Sequence, residues 1–458
     1  MKKHLFSIRF LSCMLVSIMF IWVFTACGAA KEPASEGTTI QTTEKTDNTG
    51  QAATSKASEE VTGTVNIWTW ETKEANQKMI DAFNKDNPQI TVEFNNVARE
   101  DMAKKLQTAL VAGSDMPDVA WMESTYRGKL ISLDCWENLE NYGVDKSNIL
   151  DYMIPISTNE KGELIGIEVS PAFAGLAYKR DLAKEYFGTD DPIELSKLIP
   201  DVDTLIQKGI EIKQKSGGKV FMFSGVDTLS FLLLGQSPEP FVKDGNKLNV
   251  DAAVRPTFVK LIEATKAGIV DKLQQMTPAW NASYADKTHM FYPCATWSPT
   301  YLIKPNDKNG SGRWGLMTTP GGATTWGGTI VGIPKKSQNK QAAFEYIKWN
   351  YLSEAGAKAN RDNMEYFNTM KSTYKDAGFY TKSDPFFAGQ DVFKTFAQEI
   401  APKVAVGRPA QKYDQEINEA INIAIVTINS SKDGNISVDE LIKKVESDIL
   451  DKVPELSK

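Results

Sequence analysis

The chain has 458 residues, with 52 Lys and Arg against 58 Asp and Glu, for a formal net charge of −6. This mild acidity, without a basic block or a basic–aromatic stripe, excludes the clustered electrostatic footprint that nucleic acid binding requires. Of 4 cysteines and 2 histidines, Cys13 and His4 fall in the N-terminal signal described below, so a Ser–His or Cys–His nucleophile or a His-rich metal centre would have to be built around His289, and neither a metal nor a cofactor is expected. His289 lies in Thr288-His289-Met290-Phe291-Tyr292 and reads as a packed, hydrogen-bonded residue.

Lys2 and Lys3, the apolar run from Leu5 to Phe24, and Thr25-Ala26-Cys27-Gly28 make residues 1–27 an export signal with a small-residue cleavage site. The small residues before Cys27 resemble the lipobox of bacterial lipoproteins, in which that thiol is acylated and becomes the new N-terminus; Phe24 departs from the usual Leu. Polar sequence follows Cys27 at once, which argues against a permanent membrane span. Residues 28–60 are rich in Thr, Ser, Ala, Glu, Lys and Gln, bury too little surface to fold, and read as a tether. A coil of that length spans roughly 30 Å, enough to hold a domain near a lipid surface. Removing the signal takes Cys13 with it. An oxidising compartment then permits a bridge between Cys135 and Cys294, although sequence does not give their separation.

Val65, Ile67 and Trp68-Thr69-Trp70 open the folded part as a β-rich run, and Met79, Ile80 and Phe83 mark a helix that stops at Asn87-Pro88. Ile90, Val92 and Phe94 alternate with polar residues as a second strand. Met102, Leu106, Ala109 and Leu110 mark a second helix ended by Gly113, and Pro117 to Trp121 begin a third strand. Strand, helix, strand, helix, strand with short connections predicts a parallel sheet with crossover helices, an α/β lobe. The pattern restarts with a strand at Gly175–Lys179, helices at 181–187 and 203–215, and a strand at Val220–Phe223. Helical periodicity returns at 256–267, 341–352 and 413–428. No period of twenty to fifty residues repeats, so a solenoid or propeller is not expected.

Several segments, in order, resemble the family 1 extracellular solute-binding proteins, the sugar-capturing lipoproteins of ABC importers. They are Val65-Asn66-Ile67-Trp68-Thr69-Trp70, Phe83-Asn84-Lys85, Pro88-Gln89-Ile90-Thr91-Val92, Met116-Pro117-Asp118-Val119, Ala177-Tyr178-Lys179-Arg180-Asp181-Leu182, and Pro320-Gly321-Gly322 with Gly327-Gly328 and Ala342-Ala343-Phe344-Glu345-Tyr346-Ile347. Two elements depart from the family pattern: Pro200 to Leu205 lacks its tryptophan, and Arg361 to Phe367 replaces a Gly-and-Pro loop. The resemblance implies a two-lobe periplasmic-binding-protein-like α/β fold with a hinge and an interlobe ligand cleft. It places residues 61–174 with about 298–345 in the first lobe, and 175–297 with about 346–458 in the second. It further implies a monomer at the extracellular face of the cell membrane, lipid-anchored through Cys27, that passes a carbohydrate to the permease subunits of an ABC transporter and is not itself an enzyme.

A sugar site needs flat rings under the C–H faces and carboxylates or amides for the hydroxyl rim. Trp70 with Glu71, Trp121 with Glu123, Trp297, and Trp326 with Gly327 and Gly328 fall where strands end and loops begin, and Tyr366 lies in the departing loop; these are the candidate ligand-binding residues. Trp326 leads them, because its Thr- and Gly-rich loop offers little apolar cover. Trp136, Trp314 and Trp349 read as packing residues. A secreted carbohydrate-active enzyme, a binder of a non-sugar solute and an adhesive surface protein are the rival readings. Asn429 to Glu440 has the spacing of a calcium loop, yet an Asp-Gly turn followed by a Ser437-x-x-Glu440 capping box is the preferred reading.

Overall fold

The computed structural model describes residues 60–458. The signal, Cys27 and the polar tether lie outside the described residues. Along the chain the strands are β1 (Gly63–Thr69), β2 (Ile90–Asn96), β3 (Val119–Glu123), β4 (Ile167–Glu168), β5 (Phe173–Lys179), β6 (Phe221–Phe223), β7 (Val242–Lys243), β8 (Lys247–Leu248), β9 (His289–Ala295), β10 (Trp314–Met317), β11 (Thr324–Thr325) and β12 (Thr329–Gly332).

The first sheet has the order β2-β1-β3-β12-β4. β1 runs parallel to β2 and β3, as the alternating strand and helix pattern predicts, and β12 joins antiparallel between β3 and β4. The crossover helices are Lys73–Asp86 and Met102–Ala112. The first is capped by Thr72, whose side chain accepts the Ala75 N–H, and it ends at Asn87 because the residue before Pro88 is pushed out of the helical region. The second ends on Gly113 at φ +71°, a left-handed position that glycine adopts without strain.

The second sheet is β10-β5-β9-β6, with β11 paired to β5. β5 is buried throughout, and its two faces serve different cores. Phe173 and Ala177 belong to one buried cluster, which also holds Val65, Ile67, Tyr292 and Trp314, while Leu176 and Tyr178 belong to another, with Phe223, Phe258, Ile417 and Ile442. β7 and β8 form a small separate ribbon.

The chain crosses between the sheets at 169–172, from β4 to β5, and again at 326–328, from β11 to β12. After helix Glu354–Met364 it returns to β5, where Phe367 meets Phe173 at 5.1 Å between ring centres. The lobe boundaries drawn from the resemblance need correction at these crossings. β10 and β11 belong to the second sheet, because β5 offers them an antiparallel edge from Met317 opposite Leu176 to Thr325 opposite Phe173. Helices Lys340–Tyr351 and Glu354–Met364 stay with the first sheet: they pack on β1 and on helix Lys73–Asp86, with Tyr346 and Trp349 each about 5.5 Å from Phe83. The helix expected from residue 256 begins at Val250, with Pro256 inside it.

Trp136 and Trp314 are buried, whereas Trp349 is half-buried and donates its indole N–H to Asp86 at 2.8 Å. Cys135 and Cys294 are buried free thiols, so no bridge joins them. Burial pushes the Cys135 thiol up to about 12. His289 is buried between two carboxylates, with Nδ1 2.6 Å from Asp286 and Nε2 2.9 Å from Asp271, and its ring stacks on Phe221. Ser437 caps helix Val438–Lys452 by accepting the Glu440 N–H, the arrangement preferred over a calcium loop.

Candidate functional site

Two cavities lie where the chain passes between the lobes, and Gly327 borders both. The first, about 460 Å³, is built from strand ends. β1 delivers Trp70 and Glu71, β3 delivers Trp121 and Glu123, and the segment after β9 delivers Trp297 and Tyr301. The two crossings supply Val169, Ser170 and Ala172 on one side and Gly327, Gly328 and Thr329 on the other, and Tyr366 closes the far wall. Trp70, Glu71, Trp121, Glu123, Trp297, Gly327, Gly328 and Tyr366, expected from sequence, therefore meet in one cavity. Trp326 does not line it; its ring lines the second cavity.

In the first cavity Trp70 and Trp121 stand edge to face at 5.4 Å, and the Arg99 guanidinium lies 5.7 Å from the centre of the Trp70 ring. Trp121 is 5 % exposed, and its indole N–H has no hydrogen-bond partner. Glu123 accepts from the Ser124 hydroxyl at 2.6 Å and from the Thr125 N–H at 2.8 Å. Burial pushes the Tyr366 phenol up, and Tyr301 and Glu71 add to that shift.

The second cavity, about 440 Å³, lies between Arg127 and Tyr152 of the first lobe and Asp227, Phe231, Gln275 and Asp414 of the second. Trp326 forms one wall, 5.2 Å from Phe231 and 4.7 Å from Trp297, whose indole N–H donates to the Trp326 carbonyl at 3.0 Å. Four buried polar atoms of its lining residues have no protein partner: Arg127 Nε, Tyr152 Oη, Gln275 Nε2 and Asp414 Oδ1. Leaving a buried donor or acceptor unmade costs about 1–3 kcal/mol each, so such a concentration marks a surface built to be completed by a ligand or water. Burial raises the Asp414 carboxyl to about 6, against the opposing pull of Arg408 and Arg127. Burial raises Asp227 as well, although its carboxylate accepts the Gln275 and Thr228 N–H groups at 2.6 and 2.7 Å. Nothing local in the sequence marks these residues, which come from separate stretches between positions 127 and 414.

Arg127, in the lining of the second cavity, is half of a buried ion pair. Arg127 and Glu168 are 3.5 Å apart, with side chains 5 % and 1 % exposed. Glu168, the last residue of β4, also accepts the N–H of Thr329, the first residue of β12, at 2.5 Å, so the two strands are joined at the ends from which the crossings leave the first sheet. Burial raises its carboxyl to about 7, and Arg127 works against that rise. Gly328 has φ +109°, and a Cβ there would stand 2.7 Å from the Glu168 carboxylate; only glycine fits.

Two α/β lobes, crossings that carry the chain between them and a cleft of aromatic rings and unpartnered polar groups define a hinged binding protein. The chain belongs to the bacterial extracellular solute-binding proteins, matching that family over residues 78–388. It is 23 % identical over 421 residues to the lactose-binding protein of Rhizobium radiobacter, covering 84 % of this chain and 92 % of that one. A crystal structure of an extracellular solute-binding protein of family 1 superposes with TM-score 0.76 at 22 % identity, covering 85 % of this chain and 99 % of the other. The sugar-binding protein MalE of Xanthomonas citri superposes with TM-score 0.68 at 20 % identity, over 85 % and 98 % of the two chains. Among the described residues no helix is long and apolar enough to cross a membrane.

Proposed function

We propose that this protein captures an oligosaccharide between its lobes and presents it to the permease subunits of an ABC importer, while a lipid on Cys27 holds it at the extracellular face of the membrane. The observation that carries the reading is the second cavity, where four unpartnered polar atoms face the same space as Trp326 and Phe231. A polyhydroxylated ring offers donors and acceptors for the first and a C–H face for the second. Lactose and sugar binding by the relatives agrees with this choice of ligand. The two crossings, 169–172 and 326–328, leave the first sheet from adjacent strands that the Glu168–Thr329 bond holds together, which supports a hinge that exchanges an open for a closed state on binding.

A thermal-shift panel of mono- and oligosaccharides, with short peptides for comparison, tests the reading, followed by calorimetry on each ligand that raises the melting temperature. A ligand at a hundred times its Kd stabilises by about 2.7 kcal/mol. Stabilisation by peptides alone would discard the carbohydrate reading, and release of new reducing ends from a bound sugar would favour an enzyme instead.

A further inference from the structure

We propose that the first cavity receives a protonated amine carried on the sugar ring that enters it; this inference rests on the carbohydrate reading above. The two cavities differ in charge. In the second, the lining holds Asp227 and Asp414 together with two guanidinium groups, Arg408 and Arg127, the latter also paired with Glu168. In the first, the carboxylates of Glu71, Glu123 and Glu365 face a single lining cation, Arg99. Lys382 engages Glu365 from outside the lining, and Glu123 is held by Ser124 and Thr125. Glu71 is different: among the described residues its carboxylate takes no hydrogen bond or ion pair, while its backbone N–H is used by Thr69.

The walls around Glu71 are aromatic. Trp70, Trp121 and Trp297 stand with Tyr301 and Tyr366, and ring faces attract cations most strongly where water is displaced. Trp70 already carries a cation of this chain, since the guanidinium of the exposed Arg99 lies over it. The buried, unpartnered Trp121 N–H is an independent sign of a ligand here, and it supplies a donor for an oxygen on the ring that bears the amine. A carboxylate without a partner, rings that hold a cation and a spare donor together fit an amino sugar better than a neutral one.

The test compares three trimers with one β-1,4-linked backbone that differ only at C2: the glucosamine trimer, its N-acetylated form and cellotriose, with spermidine as an amine lacking a sugar. Calorimetry is run at about pH 6, where a sugar amine holds its proton. The amine trimer should bind about tenfold tighter than the other two, an advantage that falls in high salt. Glu71→Gln should shrink the amine-to-acetamide ratio below about threefold, while Trp326→Ala should weaken all three trimers and preserve the ratio. Equal affinities, a preference for the acetamide, or binding confined to neutral sugars would overturn the amine inference and leave the carbohydrate reading intact. Binding of spermidine without any sugar would overturn both.

Discussion

Trp326→Ala separates a ligand platform from a structural ring. The indole is half-buried and meets two aromatic neighbours, Phe231 at 5.2 Å and Trp297 at 4.7 Å. Such pairs contribute about 0.5–1.5 kcal/mol each, so the substitution should lower stability by roughly 1–3 kcal/mol. The hydrogen bond from Trp297 to residue 326 survives, because it ends on the backbone carbonyl. Trp314 sets the upper limit. It is fully buried, with its N–H on Asp307 at 2.9 Å, and Trp314→Ala should cost about 3–5 kcal/mol. Affinity should respond in the opposite order. Losing the platform removes about 1–3 kcal/mol of binding, about ten- to a hundredfold in Kd, whereas a folded Trp314 variant should bind nearly as the parent does. Urea unfolding measures the first quantity and calorimetry with the best sugar of the panel measures the second. If Trp326→Ala were to lose stability on the Trp314 scale with Kd unchanged, the ring would be core and the second cavity would not be the site.

Cys27→Ala should release the protein from membranes or leave the precursor uncleaved, as fractionation would reveal; unchanged retention would remove the lipid anchor from the account. Ser437→Ala should cost about 1 kcal/mol through loss of the cap, and calcium should leave the melting temperature of the parent unaltered; a calcium-dependent rise would restore the metal-loop reading. Burial alone would lower the His289 pKa, but Asp271 and Asp286 outweigh it and raise it, so the folded state holds the imidazole proton more tightly than the unfolded one. The stability this provides is fully present below about pH 6.5 and is lost as pH rises through the raised value. His289→Gln should flatten that decline in urea titrations, and a parallel pH profile would refute the assignment. Arg127→Met leaves the Glu168 carboxyl buried without its cation, at a cost of about 3–5 kcal/mol. The loss should be greater near pH 8 than near pH 5, where the carboxyl keeps its proton; an equal loss at both would contradict the raised value.

The elements were legible wherever local pattern decides them. Ile90 and Val92 alternate with exposed neighbours, Asn87-Pro88 stops one helix, and Ser437 with Glu440 starts another; each is a short-range constraint that tertiary packing did not override. Residues following strand ends were legible too, because the ends of β1 and β3 converge in this topology, which gathers Trp70, Glu71, Trp121 and Glu123. Long-range partnership was not. β10 and β11 carry no mark that they pair with β5 and not with the first sheet, and Trp349 resembles a core residue until Asp86 takes its N–H. Nothing in the neighbouring sequence marks Arg127 or Asp414. Only the fold brings them beside one cavity and removes their water.

The interleaving of the lobes also governs when each can be completed. β3 waits for β12, roughly 200 residues further along, and the first lobe waits further for helices Lys340–Tyr351 and Glu354–Met364. The second lobe remains open until Asp414–Ser430 and Val438–Lys452 emerge near the C-terminus. An N-terminal fragment therefore has no finished core to collapse around, and the loop closures that build one come late. In a chain exported as proposed above, this delay is an asset, because a polypeptide without stable tertiary structure can still be threaded through a narrow secretion channel. The same wiring that links the lobes leaves the completion of both to the C-terminal half of the chain.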